Sequence, residues 1–212
     1  MFKQYKLSDF INLYKNHLQF DNNTIFQNPI FLNYHKNKFD SLVFTYMEED
    51  EMIAFITICI ENNVAYSHKG STYGGFVQLI AKPDQILKEI IHNFLTELHN
   101  LGVEKFIVKF PPDIFLTKKY NQLNQKLKEK LVFNFTEETT FVDLENYNKN
   151  DLKKSNFRRG HISDINEFSK NKSINVTKAS TDNELKEYYA ILQNNLKKFG
   201  KEPTHTLNEL QY

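Results

Sequence analysis

The sequence predicts a mixed α/β fold (α+β) in which helices pack on both faces of a mostly antiparallel sheet. Short apolar runs bounded by turn residues alternate with longer segments whose apolar residues recur at helical spacing. The first runs follow one another closely, which favours antiparallel hairpins. Hydrophobic residues make up 40% of the 212-residue chain, so a sizeable core can be buried.

Two short helices and three strands are predicted at the start of the chain. Ser8 or Asp9 can cap a first helix that runs to about His17. Pro29 suits the first turn of a second helix because its fixed φ is helical. Apolar runs separated by turn residues then predict three strands: residues 42–46, residues 52–60 and a third from Val64.

The helix after Pro83 has the strongest pattern, and Gly102 suits its end. Residues 103–110 are predicted to form a strand that Pro111 ends, with a further helix around Leu123. One apolar face of the helix after Pro83 is expected to point inward: Ile86, Leu87, Ile90, Ile91, Phe94, Leu95 and Leu98.

The last third of the chain is predicted to be mainly helical. Residues 151–170 form one predicted helix, and capping boxes at Thr181–Glu184 and Thr206–Glu209 open two more. Short apolar runs predict strands at residues 132–135, 139–144 and 174–177. The helix after Thr181 is expected to turn one apolar face inward: Leu185, Tyr188, Tyr189, Leu192, Leu196 and Phe199.

Charge and cysteine usage exclude several classes of protein. The formal net charge is +1, which argues against DNA binding driven by overall charge. Cys59 is the only cysteine and lies in an apolar run, so we expect a buried, inert thiol in a reducing compartment. No secretory signal and no apolar stretch of about 20 residues is present, so a cytoplasmic protein without a membrane span is expected.

The glycine-rich segment 67–76 (SHKGSTYGGF) is the first candidate site. Gly74 and Gly75 permit close backbone approach to a ligand, and His68, Ser71 and Tyr73 supply proton-transfer and hydroxyl groups. Such a segment can cradle a phosphate or a polar substrate. The alternative is a tight connection between strands that binds nothing.

The adjacent Arg158 and Arg159 are the only two arginines and form the second candidate site. The planar guanidinium binds phosphate or carboxylate through two hydrogen bonds, which the ammonium group of lysine cannot do. The alternative is a solvated basic helix face.

Residues 194–206 form the third candidate site. Lys197 suits a helix C-terminus, and Thr206 is explained as an N-cap. His205, beside Thr204, is explained by neither role and could transfer protons. A surface histidine is the alternative. The scattered histidines and single cysteine predict no metal site, and no nucleophile-elbow motif is present.

Four segments together resemble the GNAT superfamily of acyltransferases, and within it the bacterial FemAB-like group. They are Phe26–Pro29, Ser67–Gly75, Ser155–Arg159 and Tyr189–Glu209. The resemblance implies a GNAT-like fold. It also implies that residues 1–145 are one GNAT-like domain and that residues 146–212 are a basic helix plus the start of a second, incomplete lobe.

The resemblance implies transfer of an acyl group to an amine or hydroxyl of a small molecule or cell-envelope precursor. The donor would be acetyl-CoA or another acyl donor as co-substrate, with no bound cofactor. His68 and His205 would be catalytic. Substrate or donor would contact Ser71, Tyr73, Gly74, Gly75, Arg158, Arg159, Lys197 and Thr204.

The sequence departs from the GNAT pattern at the pyrophosphate loop, of which Arg158–His161 is only a partial echo. Two alternatives therefore stay open. One is Fem-type aminoacyl transfer from a charged tRNA. The other is a binding module that keeps the fold without the chemistry.

Overall fold

A six-stranded sheet organises the first part of the protein. The computed structural model describes residues 2–14, 24–133, 135–138, 158–171, 173, 175 and 177–211. The chain divides into two compact units, Met1–Glu138 and Thr139–Tyr212, and the described strands all belong to the first.

The sheet is antiparallel except for one pair of strands. Its spatial order is β1-β2-β3-β4-β6, and the short β5 pairs with β3. Strands β4 and β6 run parallel, and all other described pairs are antiparallel. The described strands are β1 (Phe2–Lys6), β2 (Ser41–Glu48), β3 (Glu51–Glu61), β4 (Val64–Ser67), β5 (Val77–Gln78) and β6 (Lys105–Ile107).

Four helices of the first unit and three of the second are described. In the first unit they are α1 (Leu7–Tyr14), α2 (Pro29–Leu32), α3 (Asp84–Asn100) and α4 (Gln122–Lys128). In the second they are α5 (Arg159–Lys170), α6 (Asp182–Lys197) and α7 (Leu207–Leu210). The mixed α/β (α+β) class expected from the sequence is therefore confirmed. None of the described helices combines the length and apolarity needed to cross a bilayer.

Helices cover both faces of the sheet because neighbouring strand residues point to opposite sides. Val43 of β2 packs with Phe10 of α1 and Leu32 of α2 in a smaller cluster. The next residue, Phe44, belongs to a larger cluster with α3 and α4. All seven apolar residues predicted on the inner face of α3 lie in or against that larger cluster.

Several strands and helix ends differ from the sequence predictions. Strand β1 is not predicted, because its alternation of Phe and Tyr with Lys and Gln buries little at a sheet edge. The first helix begins at Leu7, so Ser8 and Asp9 lie inside it and do not cap it. The predicted strand 103–110 shortens to β6, and the described residues of 132–135 form no strand.

Part of the predicted secondary structure lies outside the described residues. This holds for residues 15–17 of the first helix, for the strand at 139–144 and for residues 151–157 of the basic helix. It also holds for residues 174 and 176, while residues 175 and 177 of that predicted strand are not in a strand.

The second unit has two helices with capping boxes, but no buried residue among those the structure describes. Both predicted capping boxes are confirmed, at Thr181–Glu184 and at Thr206–Glu209. The inward face predicted for α6 is wrong, because Tyr188 is 51% and Phe199 71% exposed. The other four residues of that face are only half-buried. Helical spacing identifies an apolar stripe but not what covers it.

Candidate functional site

The candidate site lies where the parallel strands β4 and β6 end. In open α/β sheets, ligands bind outside the carboxyl ends of the strands, and this pair is the part of the described sheet with that geometry. The chain leaves β4 at Ser67 and enters the glycine-rich segment 68–76. It leaves β6 at Ile107. The Gly74 N–H donates to the Lys109 carbonyl over 2.7 Å, so the two connections are joined.

Buried polar side chains form hydrogen bonds with the backbone of the glycine-rich segment. Ser67 Oγ accepts from the Gly75 N–H over 2.8 Å. Asn124 Oδ1 accepts from the Phe76 N–H over 2.7 Å, while its Nδ2 donates to the Phe76 carbonyl over 2.9 Å. Gln27 Nε2 donates to the Gly74 carbonyl over 3.2 Å. The N–H groups of Gly74, Gly75 and Phe76 are therefore all occupied.

Both paired glycines are required by close packing. A Cβ on Gly74 would lie 2.6 Å from Ser67 Oγ. Gly75 has φ +96°, and a Cβ there would lie 2.7 Å from Asn124 Oδ1. Since no side chain fits at either position, the Gly74–Gly75 pair has a structural explanation. Its predicted role in binding a donor or substrate stays a prediction.

His68 is a buried, neutral imidazole with one unused nitrogen. Its side chain is 3% exposed, and Nδ1 lies 3.1 Å from the Tyr73 carbonyl oxygen. A carbonyl only accepts, so Nδ1 carries the proton and Nε2 is left as an acceptor. Nε2 has no hydrogen-bond partner among the described residues. Burial lowers the pKa of His68 to about 4, although the bond to the Tyr73 carbonyl opposes this.

Thr57, whose backbone carbonyl is bonded to His68, carries a second unused polar group. The His68 N–H donates to the Thr57 carbonyl over 3.1 Å, continuing the ladder between β3 and β4. The Thr57 hydroxyl is buried and has no hydrogen-bond partner among the described residues. Buried polar groups are normally paired, so these two unpaired atoms, on residues joined by a backbone hydrogen bond, are the candidate partners for a polar atom from elsewhere.

Ser71 and Tyr73 connect the glycine-rich segment to Phe26 at the edge of the site. Ser71 Oγ donates to the Phe26 carbonyl over 2.9 Å. The Tyr73 ring packs edge-on against the Phe26 ring, with centroids 5.6 Å apart. Lys109 Nζ lies 5.9 Å from the centre of the Tyr73 ring and is ion-paired with Glu137. The predicted ligand contacts of Ser71 and Tyr73 stay predictions.

The neighbouring Lys69 contacts one carboxylate and two aromatic rings. It pairs with Glu61, and its Nζ lies 4.8 Å from the centre of the Tyr66 ring and 5.5 Å from that of Phe39. Cys59 is buried and donates to Glu61, and burial together with that carboxylate raises the pKa of the thiol. Both observations agree with the expected inert cysteine.

The other predicted site residues belong to the second unit. Arg158 and Arg159 are exposed at the start of α5. Lys197 ends α6, and Thr204 and His205 precede α7. The structure brings His68, Ser71, Tyr73, Gly74 and Gly75 together, while the roles predicted for these five residues stay predictions.

Sequence reasoning did not identify Gln27, Thr57, Asn124 or Lys109. Single amides and a threonine inside apolar strands or helices carry no local pattern, and their roles depend on contacts with residues far along the chain. Lys109 belongs to a predicted strand and becomes a rim residue only because β6 ends early.

The chain matches no protein-family model, no curated protein and no solved structure. The resemblance to the GNAT superfamily therefore stays a prediction. Among the described residues, no three His, Cys, Asp or Glu side chains form a group that could hold a metal ion.

Proposed function

We propose that the protein is an acyltransferase that moves an acetyl or other acyl group from a CoA-type donor to an amine or hydroxyl. The acceptor would belong to a small molecule or a cell-envelope precursor. One observation carries the proposal: His68 presents a buried, unprotonated and unpartnered Nε2 where β4 and β6 end. An acceptor N–H or O–H is the natural partner of that nitrogen.

His68 would orient the acceptor and take up its proton during the reaction. The acceptor atom bonds to the acyl carbon, the thioester C–S bond breaks, and the proton passes through Nε2 to the departing thiolate. A pKa of about 4 keeps Nε2 unprotonated at neutral pH. Because such a nitrogen is a weak base, it would receive the proton only once attack has made the acceptor acidic.

Because their N–H groups are already hydrogen-bonded, Gly74 and Gly75 have a supporting role in this proposal and do not bind the ligand through these groups. The N–H groups of Gly74 and Gly75 already donate to Lys109 and Ser67. They would position His68 through the adjacent Tyr73 carbonyl. The roles that the resemblance implies for Arg158, Arg159, Lys197, Thr204 and His205 stay predictions.

Two rival functions are each favoured by a specific observation. The occupied amides of the glycine-rich segment favour a binding module without chemistry, since oxyanion stabilisation needs donors that are free. The exposed pair Arg158 and Arg159 is equally suited to the phosphates of a charged tRNA, as Fem-type aminoacyl transfer would require.

The test measures donor binding and turnover on the full chain. Excess acetyl-CoA is expected to raise the unfolding temperature, because a ligand that binds only the native state stabilises it by mass action. Release of the CoA thiol in the presence of mixed amine acceptors reports turnover. Replacement His68→Asn should lower turnover at least about 100-fold, the lower range for general acid–base catalysis, and keep the acetyl-CoA shift.

Control variants separate the alternatives. His92→Asn alters an exposed histidine of α3 and should behave as wild type, and His205→Asn tests the second predicted catalytic histidine. A shift produced by charged tRNA alone would replace the proposal with Fem-type transfer. Binding of acetyl-CoA without turnover, or no binding, would favour the binding module.

A further inference from the structure

Lys69, the residue after His68, connects the start of the glycine-rich segment to three other parts of the first unit. Its ammonium group forms an ion pair with Glu61 at the end of β3. The same Nζ lies 4.8 Å from the centre of the Tyr66 ring of β4 and 5.5 Å from that of Phe39, which precedes β2. Both distances are in the range of a favourable cation–π contact. The carboxylate and the two rings therefore limit the positions open to the residue next to His68.

Both members of the ion pair are charged at neutral pH. The hydrogen bond from Lys69 lowers the pKa of the Glu61 carboxyl, and the same bond raises the pKa of the Lys69 ammonium group. The Lys69 side chain is 28% and the Glu61 side chain 42% exposed, so water weakens the attraction between them. The ion pair alone would hold the lysine weakly, and the two aromatic rings add to it.

The main chain at His68 adopts a conformation that depends on its surroundings. Its φ is +55°, in the left-handed region that is disfavoured for a residue with a Cβ. The His68 N–H donates to the Thr57 carbonyl over 3.1 Å, and the Ser71 N–H donates to the His68 carbonyl over 2.9 Å. Gly70 has φ +80°, and a Cβ there would overlap the ring of Phe39. A strained conformation of this kind persists only where neighbouring contacts determine it.

We propose that Lys69 is a positioning residue for His68. Its contacts fix the turn of residues 68–71, and this turn directs the His68 ring so that Nδ1 donates to the Tyr73 carbonyl over 3.1 Å and Nε2 is left as an acceptor. Without the ammonium group the turn would also populate conformations that relieve the positive φ of His68, and part of the molecules would lose this contact. The inference rests on the proposed function, since it assigns Lys69 a role at the same site.

The first readout is the state of the His68 ring, followed in the full chain by ¹⁵N NMR of its two ring nitrogens. A ring fixed in one tautomer gives two well-separated signals, because only one nitrogen carries a proton, and exchange between tautomers draws the signals together. Lys69→Met keeps the apolar stem and removes the charge, so it should draw the two signals together. Lys69→Arg should preserve the wild-type signals, because a guanidinium forms ion pairs with carboxylates and stacks on aromatic rings.

Lys82→Met is the matched control. Lys82 forms an ion pair of comparable exposure with Glu48, the last residue of β2, and its replacement should leave the His68 signals unchanged. Unfolding midpoints establish that each variant folds. Should Lys69→Met not fold, Glu61→Gln carries the test, because it removes the partner charge from a side chain that is 42% exposed. Wild-type ring signals in the variant that folds, or an equal change in Lys82→Met, would overturn the proposal.

Turnover gives a second readout that separates this inference from the proposed function. Lys69→Met should lower the kcat of acyl transfer by about two- to fivefold and leave KM unchanged, because Lys69 changes only the fraction of molecules with His68 in place. A raised KM with unchanged kcat would indicate a ligand contact and overturn the positioning role. Absence of turnover in the wild type would refute the proposed function alone, because the ring signals still decide whether Lys69 positions His68.

Discussion

At the scale of the single residue, the glycines of this chain differ in backbone φ and in the space available for a Cβ atom. Gly75 combines φ +96° with a neighbouring oxygen 2.7 Å from where a Cβ would lie. Gly102 has φ +74° but nothing within 4 Å of that position. Gly160, inside α5, has open space around it. Substitution at Gly75 therefore tests steric overlap together with backbone strain, substitution at Gly102 tests strain alone, and substitution at Gly160 tests helix propensity.

We expect alanine at these positions to change stability in a defined order. Gly75→Ala should lower the free energy of unfolding by about 2–4 kcal/mol, because strain and overlap combine. Gly102→Ala should lower it by about 1–2 kcal/mol from strain alone. Gly160→Ala should raise the helicity of α5, since alanine is favoured over glycine by about 0.5–1 kcal/mol.

Urea unfolding measures the first two substitutions, and circular dichroism at 222 nm measures the third. Equal losses for Gly75→Ala and Gly102→Ala would contradict the close contact with Asn124.

His68 is expected to make stability depend on pH. Its pKa is about 4 in the folded protein and 6.5 when unperturbed, so only the unfolded chain gains a proton between these values. His68 therefore does not lower the free energy of unfolding above pH 6.5. As the pH falls from 6.5 towards 4, protonation of the unfolded chain progressively lowers the free energy of unfolding. A shift of this size corresponds to a loss of about 3 kcal/mol once pH 4 is reached.

Urea unfolding of wild type and His68→Asn at pH 7 and pH 5 measures this contribution. Asparagine tolerates the positive φ of this position. The variant should show the smaller decline between the two pH values. An equal decline in both proteins would mean that His68 is protonated in the folded state.

At the scale of elements, side-chain amides link helices to the sheet. Asn124 of α4 bonds both backbone groups of Phe76, just before β5. A second hydrogen bond joins the same two elements: Gln78 Oε1 of β5 accepts from the Leu123 N–H of α4 over 2.9 Å. Helix α4 is thus attached to the glycine-rich segment by polar contacts as well as by Leu123 and Leu127.

We expect Asn124→Ala to lower the free energy of unfolding by about 1–3 kcal/mol, because it leaves the buried Phe76 N–H without a partner. The Phe76 carbonyl keeps its contact with Gln27 Nε2 at 3.5 Å. Gln122→Ala, at an exposed position of the same helix, should change it by less than about 0.5 kcal/mol. Chemical denaturation measures both. Similar small effects would indicate that water replaces the Asn124 contacts.

The sequence predicts elements best where one strong apolar pattern is buried along its whole length. The α3 face and the strands β2 and β3 are of this kind, and they are confirmed. For α6 the stripe is real but half-exposed, since burial depends on a partner that periodicity does not specify. In the candidate site the glycines are visible in the sequence, while the Asn124 amide that leaves no room for a Cβ at Gly75 lies about 50 residues away.

At the scale of the whole molecule, every buried residue that the structure describes lies between Leu7 and Leu127. Both apolar clusters therefore belong to the first unit. In the second unit α6 and α7 begin with capping boxes, whereas α5 has no side-chain cap, and the described apolar side chains of all three helices are at most half-buried. Cooperative stability is thus expected to reside in the first unit.

We expect a fragment of residues 1–138 to unfold cooperatively by itself, because it contains the whole described core. A fragment of residues 139–212 should lose helicity gradually with temperature. Calorimetry and circular dichroism of the two fragments and the full chain provide the comparison. A fragment 1–138 without a cooperative transition would show that its core needs the second unit.

The pairing of β4 with β6 has a consequence for the order of folding. The two strands pair across the intervening α3. Gln27 bonds Gly74, 47 residues along the chain, and Phe76 bonds Asn124, 48 residues further on. Loops of this length close slowly relative to helices and hairpins. The surroundings of His68 should therefore form among the last steps of folding. A nascent or partly folded chain would contain the hairpin of β2 and β3 before the candidate site has formed.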